Sequence, residues 1–227
     1  MTRPYLILRP QPGNDASAQR ATALGLEVVQ LPLFEVVPVS EAPLPEGPFD
    51  ALLVTSANGA HYGNEALARF ADLPVYVVGE ASAQAVRDTG HARIIVGGGD
   101  AATTVPMIEQ AGHARILHIC GEETRPFDPL SLSITRHICY RSEARDMRPF
   151  TKMLVTMPPS VIAVHSPAAG RRLNALLPPS CRNHFILAIS EATAQAAGSG
   201  WLRVTVAPEP NDSALLRLAT SLCIGAS

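Results

Sequence analysis

Lysine is nearly missing from this chain. Of its 18 basic residues only Lys152 is lysine, and 20 carboxylates bring the formal net charge to -2. Without an excess of positive charge there is no long-range field of the kind non-specific nucleic-acid binding depends on, so no nucleic-acid partner is expected. The arginine bias favours bidentate contacts to carboxylate or phosphate. Long apolar runs are missing too. In MTRPYLILRPQPGND a short apolar run meets Arg9 and Pro10 too soon for the h-region of a secretory leader, and nothing approaches a membrane-spanning length. A cytoplasmic protein without a membrane partner is expected. Cys120, Cys139, Cys181 and Cys223 lie far apart with no C-x-x-C pair, which argues against a disulfide framework and against a zinc site. The seven histidines show no H-E-x-x-H or paired spacing, so no metal is expected. Also absent are a G-x-S-x-G elbow, a G-x-x-x-x-G-K-[ST] loop and a G-x-G-x-x-G turn after the first strand, which removes support for hydrolase, P-loop and dinucleotide chemistry.

What is present is core-forming material. Over 227 residues, 47% are hydrophobic and 17% charged, enough apolar side chain to offset chain entropy. Short apolar runs at 5–9, 27–31, 51–55, 75–78, 93–96, 116–120, 161–165, 185–189 and 204–206 alternate with Ala-rich segments of helical spacing at 17–24, 57–70, 82–89, 104–111, 168–176, 193–197 and 213–222. The runs are continuous, not alternating, as in parallel strands covered on both faces, so the fold class is α/β, doubly wound. An internal repeat accompanies the alternation. DALLVTSANGAHY from Asp50 is similar to SVIAVHSPAAGRRL from Ser160, and VYVVGEASAQAVRDTG from Val75 to FILAISEATAQAAGSG from Phe185. Two similar domains follow. The first βαβ unit precedes the first repeat, while β-prone segments at about 33–39 and 134–140 flank that repeat. Residues 36–142 therefore read as an inserted α/β domain, residues 1–35 and 143–227 as a discontinuous one, and the two crossings as a two-stranded linker.

In open α/β sheets ligands sit beyond the carboxyl ends of the strands, where helix N-termini present free N–H groups. Six junctions qualify: RPQPGND from Arg9, TSAN from Thr55, GEAS from Gly79, CGEETR from Cys120, HSP from His165 and SEAT from Ser190. Each is suited to an anion through N–H donors and the helix dipole, yet for any one of them an ordinary N-cap is explanation enough; what points to a ligand is that both domains offer matching junctions. VGGGD at 96–100 reads as a turn, and Glu80 and Glu191 as helix starts.

The ordered set ILRPQPGNDASAQRATALG, TSANGAH, VVGEASAQAVRDTG, ICGEETR with ICYRSEA, HSPAAGRRL and ISEATAQAAGSG resembles the uroporphyrinogen-III synthase family over nearly the whole chain. The resemblance implies two α/β domains on a two-stranded linker with an active site in the cleft between them. It also implies a cofactor-independent lyase that cyclises hydroxymethylbilane to uroporphyrinogen III, inverting ring D and releasing water. The substrate supplies its own reactivity, since an electron-rich pyrrole chain expels its hydroxyl to form an azafulvene. Its eight carboxylates, ionised at reference pKa values near ~4, call for many donors. Carried over residue by residue, the family's linker tyrosine falls on Tyr140, the expected catalytic proton donor, whose other reading is an aromatic anchor that packs the linker. The substrate-contacting turns fall on Ser56, Asn58, Gly79, Ser82, Gly121, Ser166, Ser190 and Thr193, with Arg9 and Arg125 as carboxylate partners. Ser190 stands where the family usually has glycine, Ala192 where threonine is common, and Ser82 where the first repeat carries threonine. A cytoplasmic monomer in transient contact with hydroxymethylbilane synthase is the expected setting. The alternative is a cytoplasmic two-domain protein that binds a small molecule without catalysis.

Overall fold

The structure is a computed structural model that describes residues 2–39 and 43–224. Along the chain run β1 (Tyr5–Ile7), α1 (Gly13–Ala23), β2 (Val28–Gln30), β3 (Phe34–Pro38), β4 (Ala51–Val54), α2 (Ala57–Tyr62) and α3 (Asn64–Arg69). Then come β5 (Val75–Val77), α4 (Glu80–Asp88), β6 (Ile94–Val96), α5 (Ala101–Gln110), β7 (Arg115–Gly121), β8 (Ser133–Ala144) and α6 (Arg148–Thr156). The last elements are β9 (Val161–Val164), α7 (Pro167–Leu176), β10 (Phe185–Ala188), α8 (Glu191–Ala197), β11 (Arg203–Val206) and α9 (Asp212–Ile224). The chain divides into two compact units, Met1–Glu35 with Glu143–Ser227, and Val36–Ser142.

The discontinuous unit holds a five-stranded sheet in the order β11-β10-β9-β1-β2, every pairing of it parallel. Strand side chains alternate between its faces. Leu6, Ile162 and Ile186 pack with Leu154 of α6, Leu173 of α7 and Ala197 of α8, whereas Tyr5, Ile7, Val161 and Leu187 pack with Ala21 of α1 and Leu215 and Ala219 of α9. The continuous apolar runs are thus explained by burial on both faces.

The other unit carries a six-stranded sheet in the order β3-β8-β7-β4-β5-β6. Leu52, Val54, Val75, Val77, Leu117 and Ile119 face Ala60, Leu67, Ala83 and Val86 of α2–α4, and Ala51, Leu53, Tyr76 and Ile116 face Val105 and Ile108 of α5. The chain passes between the units in β3 and β8, neighbours in this sheet. Arg145 donates its N–H to the Leu33 carbonyl and Val39 its N–H to the Cys139 carbonyl, so one strand advances as the other retreats: the two crossings form an antiparallel two-stranded linker.

Three elements depart from the sequence expectation. The segment 57–70 is two helices broken at Gly63, where a Cβ would overlap Ile119 Cγ2, so close packing on β7 fixes a glycine there. Helix α1 starts at Gly13 instead of 17, because Asn14 is fully buried and its amide donates to the carbonyls of Ile7 and Arg9, tying the first turn to the end of β1. Helix α6, which no Ala-rich pattern announced, buries Leu154 against the sheet.

Arg182 bolts the end of α7 to the loop after α8. Its guanidinium is buried, donates through Nε to Leu177 O at 2.9 Å and through Nη2 to Asn174 O at 3.0 Å, reaches Asn174 Oδ1 and Ser199 O as well, and lies 5.0 Å over the Trp201 ring. Carbonyls at a helix C-terminus are suitable acceptors for a cation. Arg182→Ala leaves them without a donor and removes a cation–π contact, so stability to denaturant is expected to fall by about 2–4 kcal/mol. An unchanged unfolding midpoint would refute the bolt. Both core layers of residues 36–142 lie within that segment. Expressed alone, it is expected to unfold cooperatively by circular dichroism; a non-cooperative melt would count against its independence.

Candidate functional site

Serine at the end of β4 begins the site. Ser56 caps α2, its backbone extended and its Oγ accepting the Gly59 N–H at 3.0 Å. The same Oγ lies 2.9 Å from Tyr140 Oη, a bond either hydroxyl can donate. Tyr140 sits on β8 opposite Gly121, the last residue of β7, and a Cβ on Gly121 would fall 2.6 Å from the Tyr140 ring. Glycine is therefore required for the ring to lie over that backbone. The Tyr62 ring packs beside it at 5.8 Å and donates its own hydroxyl to the Val36 carbonyl. Burial pushes the Tyr140 phenol above its ordinary value, and the Ser56 bond only partly pulls it back, so the phenol is neutral and able to donate at neutral pH.

Tyr140 and Ser56 line a cavity of ≈ 430 Å³ with Thr55, Val78, Asp100 and Arg125 among its other walls. The Gly97–Gly99 turn expected from the sequence delivers Asp100, whose carboxylate caps α5 by accepting the Thr103 N–H at 2.8 Å. The Thr103 hydroxyl and N–H, with a smaller contribution from Arg125, hold that carboxyl below the usual range, so it stays ionised. Arg125 is an exposed cation on the loop after β7. Beneath the cavity Thr55 Oγ1 is 2.9 Å from Nε2 of His118, a buried imidazole. Burial and the Arg136 charge push His118 down to about 4, so it is neutral. Burial pushes the Cys139 thiol up to about 12, too high for a nucleophile at neutral pH.

The other expected residues of this unit are near the cavity or beside it. Asn58 is the second residue of α2. Gly79 is the side-chain-free cap of α4, next to Val78 of the cavity wall, with nothing within 4 Å of a Cβ built there. Ser82 is buried under the first turn of α4.

In the discontinuous unit, Ser166 caps α7 by accepting the Ala169 N–H at 3.2 Å, repeating Ser56. Ser190 caps α8, accepting the Thr193 N–H at 3.3 Å, and its Oγ lies 3.0 Å from Oγ1 of the fully buried Thr193. Arg9, beyond β1, donates to Ser17 Oγ at 3.2 Å. Sequence reasoning missed Asp212, where α9 begins. Its carboxylate accepts from Ser17 Oγ at 2.9 Å and Arg20 Nη2 at 2.6 Å, and lies 2.8 Å from His165 Nε2. Burial would raise its pKa, but those three partners outweigh it and hold the carboxyl far below the usual range. Only its place at a helix start signalled it, and many acidic residues share that place.

The molecule defined by these features is an α/β protein of two parallel-sheet units joined by a two-stranded linker. It carries hydroxyl caps at strand ends and a half-buried phenol at the wall of a polar cavity. A family model described as uroporphyrinogen-III synthase HemD matches residues 15–217, and the chain belongs to that family, whose members are lyases of heme biosynthesis. Among solved structures, uroporphyrinogen-III synthetase from Helicobacter pylori is similar at 18% identity and a TM-score of 0.68, over 97% of this chain and 99% of that one. A mutant uroporphyrinogen III synthase from Thermus thermophilus is similar at 17% identity and a TM-score of 0.53, over 96% and 98%. At such identities the likeness establishes the fold. No curated protein matches the chain. No helix among the described residues is long and apolar enough to cross a membrane.

A phenol kept protonated by burial fixes the sign of a pH effect. The Tyr140 hydroxyl keeps its proton below its pKa and loses it above, so the phenol is expected to stay protonated past the ordinary tyrosine value and to ionise only beyond it. Ultraviolet absorption of tyrosinate, taken as wild type minus Tyr140→Phe, checks this; a phenolate forming below the ordinary value would contradict it.

Proposed function

We propose that this chain closes hydroxymethylbilane to uroporphyrinogen III, with Tyr140 donating the proton to the leaving hydroxyl. The observation that carries the assignment is the hydrogen-bonded series Gly59 N–H, Ser56 Oγ, Tyr140 Oη at the cavity wall. Because Ser56 Oγ already accepts from Gly59, the serine proton can be given to Tyr140 Oη, which turns the phenol proton toward the cavity. As the hydroxymethyl C–O bond breaks, the pyrrole nitrogen lone pair forms the azafulvene, the phenol proton leaves with the hydroxide as water, and a phenolate remains. Attack by the substituted carbon of ring D forms the spiro intermediate, and rearrangement to the macrocycle releases the pyrrole proton that restores the phenol.

The carboxylates are assigned to Arg125, Asn58, Gly79, Ser82, Gly121 and the Ser56 turn in one unit, and to Arg9, Ser166, Ser190 and Thr193 in the other. Caps such as Ser56 and Ser190 keep their side chains on their own helices, so backbone N–H groups are the donors that remain for anions. Family membership favours the enzyme over a binding protein without catalysis. The proposal includes a cytoplasmic monomer that receives substrate by transient contact with hydroxymethylbilane synthase, since the free substrate closes unaided to the type I isomer.

Purified protein given freshly generated hydroxymethylbilane is expected to yield mainly the type III isomer, read by chromatography after oxidation to uroporphyrin. A type I fraction equal to that of the uncatalysed reaction would overturn the assignment. Tyr140→Phe is expected to slow turnover by about 10²-fold or less, and Ser56→Ala or Ser166→Ala to cost about 1–3 kcal/mol, because neighbouring donors survive. Complete loss of turnover in a folded variant, with binding retained, would show that one group dominates.

A further inference from the structure

The cluster at the carboxyl ends of β1 and β9 contains more than a cap requires. Asp212 is nearly buried and accepts from Ser17, Arg20 and His165, while Arg9 stands 3.8 Å from the same carboxylate and reaches it through Ser17. Two further facts concern Arg9. Its guanidinium lies so close to Gly13 that a Cβ there would fall 2.5 Å from Nε and from Nη2. Only Nη1 has an acceptor among the described residues, Ser17 Oγ, which leaves the N–H groups of Nε and Nη2 without one.

We propose that Asp212 is a positioning residue for Arg9. Acting through Ser17 and itself fixed by His165, it keeps the guanidinium seated on Gly13, with the Nε and Nη2 donors open to a substrate carboxylate. The inference rests on the reading of Arg9 as a carboxylate partner given above. Charge supports it. Arg20, at 2.6 Å, is the tight ionic partner of Asp212, so two guanidiniums share one carboxylate and Arg9 retains attraction for an anion. Geometry supports it as well: a side chain with four rotatable bonds loses less freedom on binding when it is held beforehand. Gly13 is used because any side chain there would displace the guanidinium.

The test is a double-mutant cycle on the full chain with hydroxymethylbilane as substrate. Asp212→Asn and Arg9→Ala are each expected to raise KM by about 10-fold, with kcat held within about 3-fold, and the double variant is expected to match Arg9→Ala alone. Gly13→Ala, which leaves every charge in place, is expected to raise KM similarly and to add nothing once Arg9 is alanine; it carries the test should Asp212→Asn fail to fold. Thermal melts confirm that the compared variants are folded. KM rises that multiply, to about 100-fold in the double variant, would overturn the positioning role, as would a fall in kcat at constant KM. Wild-type protein that leaves the isomer ratio at its uncatalysed value would instead remove the reading on which the role depends.

Discussion

A parallel strand must return its chain to the opposite edge of the sheet before the next strand begins, and that requirement shapes everything else in this protein. Every return between parallel strands of one sheet is made by a helix, save that from β7 to β8, which a loop makes, so within each unit the strand carboxyl ends and the helix N-termini collect on one edge. Those N-termini carry N–H groups that the helix itself cannot satisfy. Ser56, Asp100, Ser166 and Ser190 each satisfy one of them with a side-chain oxygen, and the remainder of each turn still presents donors. An edge lined this way suits a substrate carrying many carboxylates, and the suitability is a by-product of the topology.

Burial then decides what kind of chemistry the edge can do. It pushes the Tyr140 phenol up, keeps His118 neutral and takes the Cys139 thiol out of reach, so the groups near the cavity are uncharged donors and not strong nucleophiles or bases. The charged side chains that line the cavity, Asp100, Glu123 and Arg125, belong to turns and loops. A substrate that ionises itself needs little more than a placed proton and a fixed geometry.

Continuous apolar runs such as ALLV and VIAV announced buried parallel strands, and the same strings proved buried on both faces. The N-caps Ser56, Ser166 and Ser190 were legible because capping is local chemistry, decided within four residues. What escaped was decided by distant contacts. Gly63 looks like a tolerated glycine in an Ala-rich helix, yet the helix is interrupted there, where Ile119 of β7 leaves no room for a side chain. Ser17 looked like the start of a helix, but Asn14 pulls that start back to Gly13, and Ser17 is turned inward to Arg9 and Asp212. Asp212 itself could be recognised only from partners up to 195 residues away in the chain.

The repeat shows how one scaffold came to hold two different arrangements. Thr55 and His165 occupy equivalent places, immediately before the capping serine, and each makes a polar contact beneath its turn, Thr55 to His118 and His165 to Asp212. In the first copy the partner is a neutral imidazole, and the serine is shared with a phenol. In the second the partner is a carboxylate that gathers arginines. At the next junction Gly79 caps without a side chain, while its counterpart Ser190 locks onto Thr193. Backbone geometry stays equal at these turns, with Ser56 and Ser166 adopting nearly the same extended dihedrals. Because the cap fixes only the backbone, the side chain one residue earlier is free to differ. One copy can then reach a neutral imidazole and the other a carboxylate that holds arginines, without either altering the turn that supplies the N–H groups.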